Sequence, residues 1–449
     1  SDSSTRAMYE NGLSAVTSDT VCFPAKLVHG HLRNLKEKGV DRIFMPSITT
    51  VKSENLAETS ESMCAVVKGY PIVIRNSDDP ERRWGIPFDA PLFHWHLPED
   101  RDRQLTQYMQ ETFGISPQLT RKAIAAGDAA QREFSDRLKA EGQKIIDDVQ
   151  KRGTYAVVLA SRPYQNDTLV NHDLPELFTE HHIPVLTIDS LPDINRVDLR
   201  NSRLDIVNNY HARMLSGAVL AAGCDYLEYA QVVSFGCGHD AYLSDEIIRM
   251  MNEISGKHPL VLKLDESDAT GPLRIRVRSF LETAAQRRKR RTLHVQQLSD
   301  PYPTKFTKQD AKERVVLVPN TSHAFSRVMS AQIVIGEALE ALMSGKYKDK
   351  QVAIGMGKYI GDCRLTHYSA LLRKALDDAG FADVPILTND DKDSHDMHPG
   401  FRMNLMSALN IAFALPMIDV LEELLRKMRP YECISGSADA AFEQAMDAV

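Results

Sequence analysis

The chain has 449 residues, of which 43% are hydrophobic and 26% charged, with a net charge of −7. That size predicts roughly two to three domains with ample core, and the balance is that of an ordinary soluble globular protein. It excludes a global basic field for nucleic acid, and the absence of any apolar run of about 18 residues gives no expectation of a membrane span.

In chain order, DTVCFPAKLVHGHLRNL (19–35) is the first strong signal. Leu27, Val28, His31, Leu32 and Leu35 fall on one side of a 3.6-residue period, which predicts an amphipathic helix. Pro24 suits its first turn. Cys22 then sits at or just before the N-terminus, where unpaired N–H groups and the helix dipole favour a thiolate. Such a thiol suits a nucleophile or a metal site; a buried thiol packing like a small apolar residue is the competing reading. VDRIFMPSI (40–48) predicts a buried strand, GYPIVI (69–74) a second, and 76–104 an irregular stretch. These make a first α/β lobe over residues 1–115. Residues 116–152 read as a helical insertion, with Ser116-Pro117 as its start and Gly153 as its stop.

A second lobe, 153–291, alternates strand and helix. Strands are expected at 155–161, 183–189, near 231–235 and at 259–265. Helices are expected at 174–181, from about 203 to 220, and from a Ser244 cap to Gly256. The run Arg287-Arg288-Lys289-Arg290-Arg291 reads as a solvated helix end, with docking of an acidic partner as the alternative. Residues 292–312 form a polar linker. The alternation restarts in a third lobe, 313–449, with RVVLVPN, KQVAIGMG and VPILTN as strands. This pattern predicts an α/β chain of doubly wound parallel lobes.

The six cysteines, at 22, 64, 224, 237, 363 and 433, form no CxxC pair. With no signal-peptide pattern, that usage predicts a reducing cytoplasm. The SDSST start, lacking Met, reads as a cut end of something longer. Cys64, Cys237 and Cys363 fall in loops past strands, at the edge where open α/β sheets bind ligands, and Cys22 joins them. Gly236 and Gly238 flank Cys237 and allow close backbone approach to a bulky group. Thiolates converging from separate loops suit an iron–sulfur cluster or a soft metal. Cys224 reads as structural, and Cys433 has no assigned role. His94 and His96 lie on one side of an extended segment, but no acidic or thiol ligand is near them, so a structural role is expected. His29 and His31 read as core or surface. Arg162, Tyr164, Asp167, Asn171 and His172 follow a strand and gather polar groups at the same edge as Cys237. They line a site or cap a loop. Arg162 would hold a carbonyl or phosphate oxygen, and His172 would move a proton. No Walker A or dinucleotide fingerprint is present.

CFPAKLVHGH, VDRIFMPSI, CAVVKGYP, RPYQNDTLVNH, SFGCGHDA and LKLDESDATGPLRIRVRS occur in that order. Together they resemble the 2-hydroxyacyl-CoA dehydratase-like family, nearest to the activase-related region of CoA-substrate-specific enzyme activases. The resemblance covers nearly the whole chain. It implies a Rossmann-like multi-lobed fold and a 4Fe–4S or double-cubane cluster on Cys22, Cys64 and Cys237. It also implies an ATP-dependent activase domain or subunit as electron donor, an acyl-CoA or small-molecule substrate, a possible homodimer and an oxygen-sensitive protein. The third lobe looks like a degraded second copy. GDCRLTHY carries Asp362 where the family has proline, and His323-Ala324-Phe325-Ser326 stands where a second thiol element belongs. Two other readings remain open: a cluster-free interaction module, and a zinc or thiol-redox protein.

Overall fold

The computed structural model describes residues 1–267, 270–290, 292–318, 331–358, 361, 363–388 and 405–446. Helix α1 (Arg6–Gly12), capped by Thr5, crosses α2 (Phe23–Glu37). A Cβ on Gly30 would come within 2.1 Å of the Met8 carbonyl oxygen, so glycine between His29 and His31 is what lets the two helices touch. The apolar face of α2 supplies Ala25 and Leu32 to a core completed by Ile43, Tyr70, Ile74 and Phe88. Pro24 lies in the first turn, as expected.

The strand expected at 40–48 is broken into β1 (Ile43–Phe44) and β2 (Ser47–Val51). These pair in parallel with β3 (Phe88–Asp89) and β4 (Leu92–Trp95). The strand expected at 69–74 is not one: GYPIVI lies inside helix α3 (Ala65–Ser77). Val66, Tyr70, Val73 and Ile74 face the first core from it at helical spacing, whereas the β-branched run imitates a short buried strand. The stretch read as irregular holds α4 (Pro80–Trp84), β3, β4 and the start of α5 (Pro98–Phe113). The helical insertion is present as α6 (Pro117–Lys151), with the Ser116 hydroxyl accepting from the Leu119 N–H at 3.4 Å.

The second lobe carries β5 (Ala156–Ala160), α7 (Thr168–Asn171), α8 (Leu174–Thr179), β6 (Val185–Thr187), α9 (Asn209–Ala222), β7 (Leu227–Ser234), α10 (Gly238–Ser255), β8 (Leu260–Leu264) and α11 (Thr270–Arg290). Its strands are all parallel, in the order β6-β5-β7-β8. Successive residues of β5 serve opposite cores. Ala156, Val158 and Ala160 pack with α6, α9 and α10, while Val157 and Leu159 pack with α8 and α11. The sheet is therefore covered by helices on both faces, and each fully buried aliphatic contributes about 1.5–3 kcal/mol. Helix α9 starts at Asn209, later than expected, because the Asn208 side chain caps it. Helix α10 starts earlier, at Gly238. Ser244 is not its cap but lies inside it, with its hydroxyl donating to the Asp240 carbonyl at 2.8 Å. The basic run is not wholly solvated either. Arg287 pairs with the buried Glu228, and Arg288 lies over the Tyr155 ring at 5.3 Å.

The linker packs on the second lobe. Tyr302 and Phe306 are buried, and the Tyr302 hydroxyl donates to the Arg203 carbonyl at 2.7 Å. The third lobe follows with α12 (Asp310–Glu313), β9 (Val315–Leu317), α13 (Ala331–Met343), β10 (Val352–Met356), α14 (Tyr368–Asp378) and β11 (Ile386–Thr388). Its strands are parallel, in the order β11-β10-β9. Helices α15 (Leu405–Met428) and α16 (Ser437–Met446) end the described chain. Asp362 and the His323–Ser326 element lie outside the described residues. Among the described residues no helix is long and apolar enough to cross a membrane.

The segment after β2 ties the first lobe to the second. Asn55 donates to the Val197 carbonyl at 3.0 Å, the Thr59 N–H donates to that of Ile206 at 2.9 Å, and Arg213 pairs with Glu54 at 2.5 Å. Burial pushes the Glu58 carboxyl up to about 7, although the Glu54 and Asn55 N–H groups donate to it. The unfolded chain releases that proton near 4.5, the folded chain only near 7. Glu58 therefore supports the fold below about pH 4.5, and the support is lost as pH rises to about 7. Glu58→Gln is expected to flatten stability over that window by about 1–2 kcal/mol, read from denaturant melts at several pH values.

Candidate functional site

The strand order of the second lobe reverses at β5. The chain leaves β5 for β6 on one side and returns to β7 on the other, and open α/β sheets bind ligands beside such a switch point, at the carboxyl ends of the strands. Arg162 follows β5 and Cys237 follows β7, so both lie at that switch point.

Cys22, Cys64 and Cys237 share one structural position. Each is the N-cap of a helix: Cys22 of α2, Cys64 of α3 and Cys237 of α10. Gly236, at φ 79°, turns the loop after β7, and a Cβ there would lie 3.0 Å from the Thr20 carbonyl oxygen. The Cys237 loop thus rests against the chain two residues before Cys22. The helix N-terminus does not draw the Cys22 thiol down, contrary to expectation. Burial pushes the Cys22 thiol up, and it pushes Cys237 up to about 11 despite the Arg162 charge. Desolvation outweighs the partial charge of a helix N-terminus here.

The Arg162 guanidinium is buried beside them. Its Nη2 lies 2.6 Å from Asp240 Oδ1 and 3.9 Å from Cys237 Sγ. Burial works against its charge, but Asp240 holds the pKa well above the ordinary value. Asp240 also accepts the Ser234 N–H at 2.9 Å, and Gln165 donates to the Ser234 hydroxyl at 3.0 Å, so the ends of β5 and β7 are tied together. Tyr164 is raised by burial, with Cys64 and Cys22 among the charges that reach it, and its ring meets Tyr210 edge-on at 6.5 Å.

The remaining polar residues of this loop divide. Asp167 caps α7, accepting from Leu169 and Val170, and Asn171 is buried. His172, at φ 55°, lies at the end of β8. Its Nε2 is 2.9 Å from the Asp265 carbonyl oxygen, so Nε2 carries the proton. The structure thus joins Arg162 to Cys237 and gives His172 a different neighbour. Cys363 is exposed and is the N-cap of the helical turn Arg364–His367, and Cys433 is exposed. Cys224 closes α9, its thiol donating to the Leu220 carbonyl at 3.4 Å. Cys224→Ala is expected to keep the full metal content of the wild type and to shift stability by no more than about 1 kcal/mol, checked by metal analysis and thermal melting. His94 bonds Thr49 and His96 lies 3.9 Å from Asp100, so each has its own partner. His29 is core: Nδ1 meets Asp78 at 2.5 Å and Nε2 meets the Tyr70 hydroxyl at 2.9 Å. His31 bonds Ser1 and Ser4.

Sequence reasoning missed three histidines altogether. One ring nitrogen from each of His211, His239 and His367 lies within 4.8 Å of the others. They come from α9, α10 and the turn before α14, with no spacing that announces them.

The parallel sheets, with Cys237 and the buried Arg162–Asp240 pair at the switch point, define an α/β protein. Residues 1–191 match the family described as the CoA enzyme activase uncharacterised domain, in keeping with the activase-related resemblance. No curated protein and no solved structure matches the chain.

Proposed function

We propose that this chain is an iron–sulfur component of an activase-related system, with Cys22, Cys64 and Cys237 as the three protein ligands of a 4Fe–4S or related cluster. The observation that carries this reading is that Cys22, Cys64 and Cys237 are each the N-cap of a helix, with the Cys237 loop seated against the chain beside Cys22. The donor set suits soft iron–sulfur ligation.

When bound, such a cluster supplies low-potential one-electron transfer. The chain's own residues do the rest. Arg162, fixed by Asp240, places positive charge and an N–H 3.9 Å from the Cys237 sulfur, which raises the reduction potential of anything held there. Its position at the switch point also suits it to hold a carbonyl or phosphate oxygen of an incoming acyl-CoA or smaller substrate. His172, its Nε2 proton committed to Asp265, would act on a proton through Nδ1. An ATP-dependent activase domain or subunit is the expected electron donor, and the cytoplasm is the expected compartment. A homodimer has a suitable face in α15, where Met406, Leu409, Phe413, Met417, Val420 and Leu424 are exposed at spacings of three or four residues.

Anaerobic reconstitution with ferrous iron and sulfide tests the reading. The expected result is broad visible absorption that bleaches on reduction, together with a paramagnetic signal from the reduced protein. A colourless protein that takes up zinc through the same thiols would reject it in favour of a zinc site.

A further inference from the structure

The three histidines form a second constellation, separate from the thiols. His211 lies near the start of α9, His239 in the first turn of α10, and His367 at the end of the turn that leads into α14. His239 Nδ1 and His367 Nε2 are 3.1 Å apart. Ring centroids are 5.1 Å apart for His211 and His239, 5.2 Å for His239 and His367, and 6.2 Å for His211 and His367. His211 is 2% exposed and His367 is 0% exposed. The Nδ1 atoms of both are buried, with no hydrogen-bond partner among the described residues. Such an orphan costs about 1–3 kcal/mol and calls for a missing partner, and the His367 nitrogen that faces His239 is Nε2.

We propose that His211, His239 and His367 bind a divalent first-row transition metal, zinc foremost, and that the metal clamps the third lobe to the first turn of α10. Three imidazole donors with the remaining position open to water or another ligand is a regular zinc arrangement, and imidazole is the donor this class of cation prefers. The nearby cations are already balanced: Arg162 by Asp240 at 2.6 Å and Lys358 by Asp205 at 2.9 Å, both pairs buried. A Cβ on Gly238 would lie 3.6 Å from the Arg364 side chain, so the third-lobe turn already rests on the start of α10. The clamp would therefore fix the helix whose N-cap is Cys237. This site stands whether or not the thiols hold a cluster.

Cobalt(II) added to chelator-treated full-length protein separates the two sites, because nitrogen ligation gives d–d absorption without the sulfur-to-metal charge-transfer band of thiolate ligation. The expected result is one equivalent bound with the nitrogen-type spectrum, and a rise in melting temperature when zinc replaces cobalt. His239→Gln is the first variant, since His239 is only partly buried and its loss spares the core. It should weaken cobalt binding by at least about tenfold and abolish the zinc-dependent rise. His367→Gln should do the same where it folds. The Cys22→Ala, Cys64→Ala, Cys237→Ala triple variant should keep the nitrogen-type spectrum. No nitrogen-type binding, or binding unchanged in His239→Gln, would overturn the proposal.

Discussion

Cys237→Ala is expected to remain folded and to be nearly empty of iron after anaerobic reconstitution. The thiol is only partly exposed, yet it lies outside the hydrophobic cores of the second lobe, so truncation costs about 1 kcal/mol or less. Its loss removes one of three soft donors and leaves Arg162 facing a methyl group. Two thiols on separate segments hold a cluster poorly. Iron affinity should fall more than about 100-fold, beyond what loss of a supporting residue produces. Cys363→Ala, at an exposed thiol, should keep its iron. Metal analysis alongside a thermal melt checks both, and full iron in Cys237→Ala would move the ligand role elsewhere.

Asp240→Asn should cost about 3–5 kcal/mol, because it leaves the Arg162 guanidinium buried without a counter-charge. Asparagine can still accept the Ser234 N–H, so the loss isolates the ion pair from the cap. The double variant Arg162→Met, Asp240→Asn should recover most of the stability, since no unpaired charge remains. A double-mutant cycle from denaturant melts reads this coupling directly. Additive losses in the two single variants would mean that the pair does not hold the ends of β5 and β7 together.

The parallel sheets, the long helix α6 and the N-cap position of Cys22 were legible because each rests on local signals: periodicity, caps and glycine stops. GYPIVI misled because a short apolar run has the same composition in a buried strand as in a helix face. Only the partners at Ile43 and Phe88 decide it. The early start of α10 was hidden because Cys237 and Gly238 are poor caps on paper, while Asp240 supplies the acceptor for the end of β7 from within the helix. Arg162 and Cys237 could be paired from the sequence because both follow adjacent strands. His172 could not, because its neighbour belongs to the end of β8. The three histidines were beyond reach for the same reason. Residues 211, 239 and 367 meet only through tertiary packing of the third lobe on α10.

Iron and acid-labile sulfide, measured together, decide whether the three thiols hold an iron–sulfur cluster. The reconstituted wild type should carry iron and sulfide in a ratio of about one to one, and the Cys22→Ala, Cys64→Ala, Cys237→Ala variant should carry neither. Iron without sulfide in the wild type, or both retained in the triple variant, would contradict it.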